Sequence, residues 1–429
     1  MDRHGGTGRP AGRARPLIVL FIHQNFPGHY RHLARDLADN GHQVHFITQK
    51  NDNQMRGVEK IVYALPPMPT LNCHPFTIDF DVAVRHGMAV VDACRNLIAR
   101  GIRPDVICGH GGWGEMLFVK DVFPDVPILG YFEFYYHWRD VDVGFDPEFG
   151  HRVDDPFRLR ARNAVGLLTF DSVDWGNAPT QWQRSVHPPE LRSRISVIHE
   201  GVDTDLVAPD ADAWLNLERA GLRLTARDEV VTYVTRGLEP YRGFHIFMRA
   251  AAEILRRRPR THILLVGADT PSYGAPPASG RTWRELMLAE TGLASEGRLH
   301  FLGHVPYEGY LKLLQISSAH VYLTYPFVLS WSFIEAMSAG CAIVGSATAP
   351  VLEVLRDGEN GLAVDFFDFQ GIADRVDSIL DSPDRRADLR TAARADAVKQ
   401  FDLKTQTLPR WRALFEDLVN GRRPPLYAD

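Results

Sequence analysis

The stretch "LIVLFIHQNFPGHYRHLARDLADNGHQVHFIT", residues 17–48, has the pattern of a strand, a helix and a second strand in succession. Its first six residues are a continuous apolar run, which is typical of a parallel strand buried on both faces. Apolar residues then recur at helical spacing from His29 to Asn40, and Gly41 follows where a helix cap belongs. The stretch predicts an α/β domain with a parallel sheet.

The same alternation continues through the rest of the chain. In the first half, further predicted strands cover residues 127–135, 165–170 and 195–199. In the second half, the predicted strands are residues 230–234, 261–266, 299–302, 320–324 and 342–345, alternating with helices such as 244–257 and 307–316. Each half therefore reads as an open, mostly parallel sheet with helices on its faces.

The length of 429 residues suggests two domains, because one domain usually has about 100 to 200 residues. A polar, glycine-bearing segment at residues 200–209 separates the two halves and is interpreted as a hinge. We predict a disordered tail over residues 1–16, an N-terminal domain over 17–200 and a C-terminal domain over 201–402.

Composition excludes several classes of partner. Hydrophobic residues make up 45% of the chain, charged residues 24%, and the net charge is only −5, so no overall field favours nucleic acid or acidic membranes. The apolar run at residues 17–22 is too short for a signal peptide core or a transmembrane segment. Four single cysteines without C-x-x-C spacing favour reduced thiols, and we expect a cytoplasmic protein.

Residues 109–114, "GHGGWG", match the G-x-G-x-x-G pattern of dinucleotide-binding folds, and a short apolar run precedes them. That pattern normally follows the first strand of its domain, whereas here about ninety residues of α/β structure come before it. NAD binding is therefore a minor alternative. We expect these glycines to form a tight turn and to let the backbone approach a ligand closely.

Six segments carry a resemblance to a known family: "FIHQNFPGHYRHLARDLADNGHQVHFIT", "SVIHEGVDTDLVAP", "YVTRGLEPYRGFHIFMRA", "LVGAD", "FLGHVPYEGYLKLL" and "YPFVLSWSFIEAMSAGCAIVGSATAPVLEVLRDGENGLAV". In this order they resemble a bacterial family 4 retaining glycosyltransferase. The resemblance implies an α/β GT-B fold, in which two Rossmann-like doubly wound domains face each other across a cleft. It also implies that the helical stretch 403–429 crosses back to the N-terminal domain.

The resemblance assigns the reacting end of a nucleotide-sugar donor to four residues. His110 faces the donor sugar, and the backbone of Gly28 approaches the diphosphate. Arg236 and Arg242 stabilise the diphosphate as the glycosidic bond breaks, since guanidinium groups match phosphate oxygens. The family more often has Arg and Lys five residues apart, whereas here two arginines are six apart. A local turn role for His110 and Gly28, and solvated loop arginines, are the simpler alternatives.

A helix start at residues 330–332 is expected to offer free backbone N–H groups to the donor from Ser330, Trp331 and Ser332. Glu335 matches the family glutamate that binds ribose, but Ser332 and Glu335 also have the spacing of a capping box. Base recognition is implied near His304 and Val305. UDP, GDP and other carriers remain open.

The family's first motif glutamate, eight residues before Glu335, is replaced here by Phe327. Recognition of the donor sugar must therefore differ from that of the family. Two alternatives to a transferase remain: a nucleotide-sugar epimerase of similar fold, and a nucleotide-sugar-binding subunit without catalysis.

The acceptor side is only weakly marked by the sequence. Trp113, Glu133 and His137 are candidate acceptor residues, although packing or surface exposure explains each of them equally well. The resemblance implies a same-face mechanism in which the leaving phosphate takes the acceptor's proton. We expect no cofactor and no metal, despite the D-x-D pattern at Asp203–Asp205. The expected partners are a nucleotide sugar and an unidentified acceptor, which could be a glycan, a lipid-linked compound or a small molecule.

Overall fold

A computed structural model describes residues 15–65, 73–139 and 141–428. Most of the predicted tail 1–16 lies outside the described residues. Of the tail, only residues 15 and 16 are described, and Arg15 Nη1 donates a hydrogen bond to Asp105 Oδ2 at 3.2 Å.

The N-terminal domain is built on a parallel sheet of seven strands in the order β3-β2-β1-β4-β5-β6-β7. Its strands are β1 (Ile18–Ile22), β2 (Gln43–Thr48), β3 (Val58–Val62), β4 (Val106–His110), β5 (Ile128–Tyr131), β6 (Trp175–Ala178) and β7 (Ile195–Val197). Its helices are α1 (Arg31–Asp39), α2 (Ile78–Ala99), α3 (Val119–Val122), α4 (Asp155–Arg162), α5 (Ala164–Ser172), α6 (Gln181–Ser185) and α7 (Pro189–Arg192).

Both faces of this sheet are covered, which explains why β1 is a continuous apolar run. Phe21 packs on the side of α1, whereas Leu20 and Ile22 belong to the cluster on the opposite side, which includes Val90 of α2. In a strand, successive side chains point to opposite faces, so a doubly covered sheet needs apolar residues at every position.

The C-terminal domain repeats this plan with six parallel strands in the order β12-β11-β10-β13-β14-β15. Its sheet contains β10 (Val230–Gly237), β11 (His262–Ala268), β12 (Leu299–Gly303), β13 (Ala319–Tyr322), β14 (Ile343–Ser346) and β15 (Leu362–Val364), and an antiparallel hairpin of β8 (Trp214–Leu217) and β9 (Leu222–Thr225) precedes it. Its helices are α8 (Phe244–Arg257), α9 (Trp283–Thr291), α10 (Tyr307–Gln315), α11 (Trp331–Ser338), α12 (Ala349–Leu352), α13 (Phe369–Leu380) and α14 (Pro383–Phe401).

Two parallel-sheet α/β domains are what the sequence predicts, but some elements differ. The predicted strand at 165–170 is wrong, because these residues lie in helix α5. Val165, Thr169 and Phe170 are buried while Leu167 and Leu168 are exposed, which is a helical rather than an alternating pattern. The strand predicted at 127–135 is shorter and covers only Ile128–Tyr131.

Helix α15 (Leu408–Val419) follows the second domain and packs on the first. Its Trp411, Leu414 and Phe415 are buried in one cluster with Phe21 of β1. Arg412 Nε donates to Asp36 of α1 at 2.7 Å, on the outer side of that contact. The chain therefore crosses between the domains a second time near residue 402.

A segment of the N-terminal domain also reaches across to the C-terminal domain. Asp142 accepts a hydrogen bond from Tyr241 at 3.1 Å, and Asp146 accepts one from Tyr325 at 2.7 Å. Phe145 packs against the ring of Tyr325, with ring centroids 5.1 Å apart. These contacts close one side of the space between the two sheets.

Candidate active site

A cleft of about 560 Å³ lies between the domains. On one side it is bounded by the loop after β1, and on the other by the beginnings of α10 and α11. The strand order reverses direction between β1 and β4 and again between β10 and β13. Ligands of open parallel sheets bind at such points, beyond the carboxyl ends of the strands.

Gly28 lines this cleft on the side of the N-terminal domain. Its φ of +52° is in the left-handed region, and a Cβ at this position would lie 2.5 Å from the ring of His23. A side chain is therefore excluded by the conformation and by the neighbouring histidine. Gly28 is half-buried and brings no side chain to the cleft that it lines.

Glu335 lines the same cleft on the side of the C-terminal domain. Its two carboxylate oxygens accept hydrogen bonds from Tyr307 and Tyr310, each at 2.8 Å. Burial raises the pKa of Glu335, although the two tyrosines oppose this effect. The capping-box alternative is wrong, because α11 begins at Trp331 with Ser330 as its N-cap, so Glu335 lies too far into the helix.

The start of α11 is less open than predicted. The N–H of Ser330 donates to the hydroxyl of Tyr322 at 2.8 Å, so it is not free for a ligand. Ser330 and Ser332 hydrogen-bond to each other through their hydroxyls at 3.0 Å. The ring of Trp331 extends across the cleft, with its centroid 5.5 Å from that of His29.

The two predicted diphosphate arginines have different surroundings. Arg236 is exposed at the end of β10. Arg242 is only 5% exposed, and its Nη1 donates to Thr324 at 2.9 Å and to the carbonyl of Val328 at 2.8 Å. The alternative of a solvated loop arginine is therefore wrong for Arg242. One side of its guanidinium already holds the loop after β13.

Phe327 is 6% exposed, at the place where the domains meet. Its ring lies 4.7 Å from that of Phe134 in the N-terminal domain and 5.0 Å from that of Tyr273. Arg242 Cζ lies 5.8 Å from its centroid. An aromatic cluster therefore fills the position where the family has a carboxylate.

His110 ends β4 and lies in a cluster of imidazoles and carboxylates, which we call the histidine cluster: His23, His29, His110, Glu133, His199 and Glu200. His29 Nδ1 is 3.0 Å from Glu200 Oε1, and Tyr131 also donates to Glu200. Burial alone would raise the pKa of Glu200, but His29, His199 and Tyr131 lower it to about 2. For His29, burial is outweighed by Glu200 and Glu133, so the pKa of His29 is raised.

Two of the three predicted acceptor residues lie beside His110. The ring of Trp113 stacks on that of His110, with centroids 3.6 Å apart, and Glu133 Oε2 lies 3.6 Å from His110 Nε2. Both residues line a second cavity of about 90 Å³. His137 does not line this cavity, and its Nε2 lies 2.6 Å from the carbonyl oxygen of Val186.

Several predicted positions line neither cavity: Arg236, Arg242, His304, Val305, Ser330 and Ser332. His304 is exposed and Val305 half-buried in the loop between β12 and α10, next to Tyr307 in the chain. Of the glycines after β4, Gly111 and Gly112 line the second cavity, whereas Gly114 packs against protein, since a Cβ on Gly114 would lie 2.2 Å from the carbonyl oxygen of Ala83. The expectation that they bring backbone to a ligand is therefore wrong for Gly114.

His29, His110 and Glu133 have ligand atoms close enough to hold a metal ion. However, the N–H of Gly112 donates to His110 Nδ1 at 3.2 Å, so the neutral ring carries its proton on Nε2. That nitrogen faces Glu133 and cannot bind a metal while protonated. Asp203 and Asp205 of the D-x-D pattern are both paired with Lys404.

Sequence reasoning missed His29, Glu200 and the two tyrosines that hold Glu335. His29 lies in the loop after β1 and Glu200 lies three residues after the end of β7, so their position at carboxyl ends of strands was a usable signal. Tyr307 and Tyr310 are 28 and 25 residues before Glu335, a relation that only the fold reveals.

The sequence profile of the glycosyl transferase family 4 group matches residues 40–207, and that of glycosyl transferases group 1 matches residues 216–396. Together the two matches cover most of the chain. The protein therefore belongs to the family 4 glycosyltransferases and has their GT-B fold.

Among curated relatives, the chain is similar to a D-inositol 3-phosphate glycosyltransferase of Corynebacterium aurimucosum, with 27% identity over 285 residues, 65% of this chain and 62% of the relative. The D-inositol 3-phosphate glycosyltransferase of Mycobacterium sp. (strain JLS) is 29% identical over 188 residues, 44% of this chain and 40% of the relative. The matched region thus spans less than two thirds of either relative.

Solved structures show the same fold at low identity. Sucrose-phosphate synthase of Thermosynechococcus elongatus superposes with a TM-score of 0.71 at 18% identity, covering 94% of this chain and 100% of that one. HepE of Anabaena in complex with UDP-glucose superposes with a TM-score of 0.65 at 16% identity, with the same coverage. Among the described residues, no helix has the length and apolarity needed to cross a membrane.

Proposed function

We propose that this glycosyltransferase moves a sugar from a nucleotide-sugar donor to a hydroxyl group of an acceptor, with retention of the anomeric configuration and without a metal ion or other cofactor. The observation that carries the proposal is the cleft of about 560 Å³, which brings Gly28 of one domain opposite Trp331 and Glu335 of the other. A glycine backbone without a side chain suits a diphosphate, and a buried carboxylate suits a ribose.

The reaction needs negative charge on the leaving diphosphate to be stabilised. Arg236 is exposed at the end of β10 and is the more available of the two arginines, whereas Arg242 supports the loop that carries Phe327. In the proposed reaction the acceptor's proton passes to the diphosphate, so no separate base is required. The retaining course follows from the family resemblance.

Binding of UDP-glucose by HepE favours a uridine nucleotide for this chain as well. The names of the inositol phosphate transferases favour a small phosphorylated polyol as one acceptor to be tried. We propose the cytoplasm as the place of action, where nucleotide sugars are available.

A second candidate is a subunit that binds a nucleotide sugar without transferring it. The observation in its favour is the aromatic cluster around Phe327, which offers no carboxylate to the donor sugar. A nucleotide-sugar epimerase is the third alternative and would need no acceptor.

Thermal unfolding with UDP, GDP and UDP-glucose, each with EDTA present, tests donor binding. A ligand at 100 times its dissociation constant stabilises the folded state by about 2.7 kcal/mol. We expect a raised unfolding temperature with one nucleotide, and release of that nucleotide from its sugar over hours. Stabilisation without release would favour the binding subunit, and no stabilisation by any nucleotide would contradict the proposal.

A further inference from the structure

The imidazole protons of the histidine cluster are placed by backbone groups. N–H groups of the chain donate to the Nδ1 atoms of His23, His110 and His199, at 2.9 Å, 3.2 Å and 3.0 Å. A nitrogen that accepts a hydrogen bond carries no proton, so each neutral ring has its proton on Nε2. Burial lowers the pKa of His110, which keeps this ring neutral.

The proton on His110 Nε2 has no acceptor at a normal hydrogen-bond distance among the described residues. The nearest carboxylate atom is Glu133 Oε2 at 3.6 Å, and His110 is 3% exposed. Buried donors in native proteins are nearly always paired, so this one points to a ligand oxygen. A ligand hydroxyl beside this pair would accept from His110 Nε2 and donate to Glu133.

Glu133 is the most exposed acid of the cluster, with a quarter of its side chain accessible. Its backbone is fixed, because its carbonyl accepts from Gln183 Nε2 at 2.8 Å. Burial would raise the pKa of Glu133, but His110 and His29 outweigh this effect and lower it. The residue is therefore a carboxylate with free lone pairs that face the second cavity.

The second cavity has aromatic side chains beside this carboxylate. Trp113, Tyr135 and Tyr136 line it. Asn163 holds this wall in place, because its side chain accepts from the N–H of Tyr136 at 3.0 Å and donates to the carbonyl at 2.8 Å. The volume of the second cavity, about 90 Å³, is several times what one water molecule needs. Aromatic faces next to a carboxylate suit a hydroxylated ring, whose C–H face packs on the aromatics while a hydroxyl donates to the acid.

We propose that this cavity is the acceptor site and takes a polyhydroxylated ring, whose attacking hydroxyl donates a hydrogen bond to Glu133. Its role as acceptor site rests on the proposed function, whereas polyol binding does not. The acceptor oxygen forms a bond to the anomeric carbon, and the bond from that carbon to the diphosphate oxygen breaks, leaving its electron pair on the diphosphate. The acceptor's proton ends on that diphosphate oxygen. Glu133 stays ionised and orients the hydroxyl, because a weakly basic carboxylate accepts hydrogen bonds but takes protons poorly.

Gly166 provides a way to block the cavity without disturbing the fold. It lies in α5, lines the cavity, and no atom lies within 4 Å of the position its Cβ would take. Gly166→Leu therefore fits, and it favours the helix. Gly309→Leu is the matched control, since Gly309 is also in a helix with open space at its Cβ and lines neither cavity.

The test is saturation-transfer NMR of the full chain with myo-inositol, methyl α-D-glucoside and methyl α-D-mannoside. We expect at least one of these polyols to bind to the unmodified protein and to the Gly309→Leu variant, and to bind at least tenfold more weakly to Gly166→Leu. Equal binding to both variants would place the polyol elsewhere and overturn the assignment. Failure of all three polyols to bind would overturn the ligand class.

Glu133→Gln tests the contact itself, with Asp171→Asn as the control at an exposed carboxylate of the same domain. We expect Glu133→Gln to weaken polyol binding about tenfold and to leave UDP binding, measured by calorimetry, unchanged. Unchanged polyol binding in Glu133→Gln would refute the role of this residue. A protein that binds UDP but no polyol contradicts this inference alone, whereas one that binds polyol but no nucleotide contradicts only the proposed function.

Discussion

Replacing Phe327 by the glutamate of the family should damage the protein instead of restoring a motif. Phe327 is 6% exposed, with the ring of Phe134 at 4.7 Å. Removing a buried phenylalanine ring costs about 3–5 kcal/mol, and a buried carboxylate adds a desolvation cost. The nearest cation is Arg242, with Cζ 5.8 Å from the ring centroid. At that distance a charge pair gains about 3 kcal/mol at an effective dielectric constant of 20.

The gain from Arg242 therefore offsets only part of the loss, and we expect Phe327→Glu to lower the free energy of unfolding by about 3 kcal/mol or more. Chemical denaturation measures this change, and Phe327→Leu is the control that keeps the site apolar, with an expected loss of about 1 kcal/mol. Release of nucleotide from UDP-glucose should also fall in Phe327→Glu. A variant as stable as the unmodified protein that consumes UDP-glucose faster would refute this reasoning.

Three further predictions concern the arginines, Glu335 and the buried histidines. Arg236→Ala should change the free energy of unfolding by no more than about 0.5 kcal/mol but lower turnover roughly 100-fold. Arg242→Ala should lower the free energy of unfolding by about 2–3 kcal/mol, because Thr324 and Val328 lose a buried hydrogen-bond partner. Denaturation and nucleotide-release assays on both variants check this contrast. Glu335→Gln should weaken UDP binding about tenfold in calorimetry, with the exposed Glu308→Gln as the control, because a charged acceptor becomes a neutral one; equal affinity in both variants would leave Glu335 a purely structural residue. Burial lowers the pKa of His187 and of His320 to about 4. Their neutral forms therefore stabilise the folded state fully above pH 6.5, and this stability is lost as the pH falls from 6.5 towards 4, by up to about 1.4 kcal/mol per pH unit for each group. A free energy of unfolding that stays constant between pH 7 and pH 5 would contradict this prediction.

The fold was predictable because both sheets are covered on both faces. A parallel strand of this kind is a short apolar run. β1 is wholly apolar, and β11 and β14 are apolar except for His262 and Ser346 at their ends. The error at residues 165–170 has the same origin. Helix α5 is also largely apolar, because even its exposed positions carry Leu167 and Leu168. A short apolar run therefore did not distinguish a helix from a strand.

The candidate site was predictable only where it lies at the end of a strand. Gly28 lies in the loop after β1 and His110 ends β4, and their place in the site follows from the topology alone. The pairing of His29 with Glu200 joins residues 171 positions apart, and no local pattern reports it. The burial of Arg242 depends on the loop after β13, which folds over its guanidinium. Such contacts are set by tertiary packing and not by local propensity.

The configuration of the sugar released by slow donor hydrolysis tests the central claim most directly, because it needs no acceptor. The full-length chain would be incubated with UDP-glucose and EDTA, and proton NMR would follow the first glucose to appear before its anomers equilibrate. The account predicts that UDP is released without a metal and that α-glucose appears first, at a rate lowered by Arg236→Ala. β-Glucose appearing first, or release of UDP only when a divalent metal is added, would contradict it.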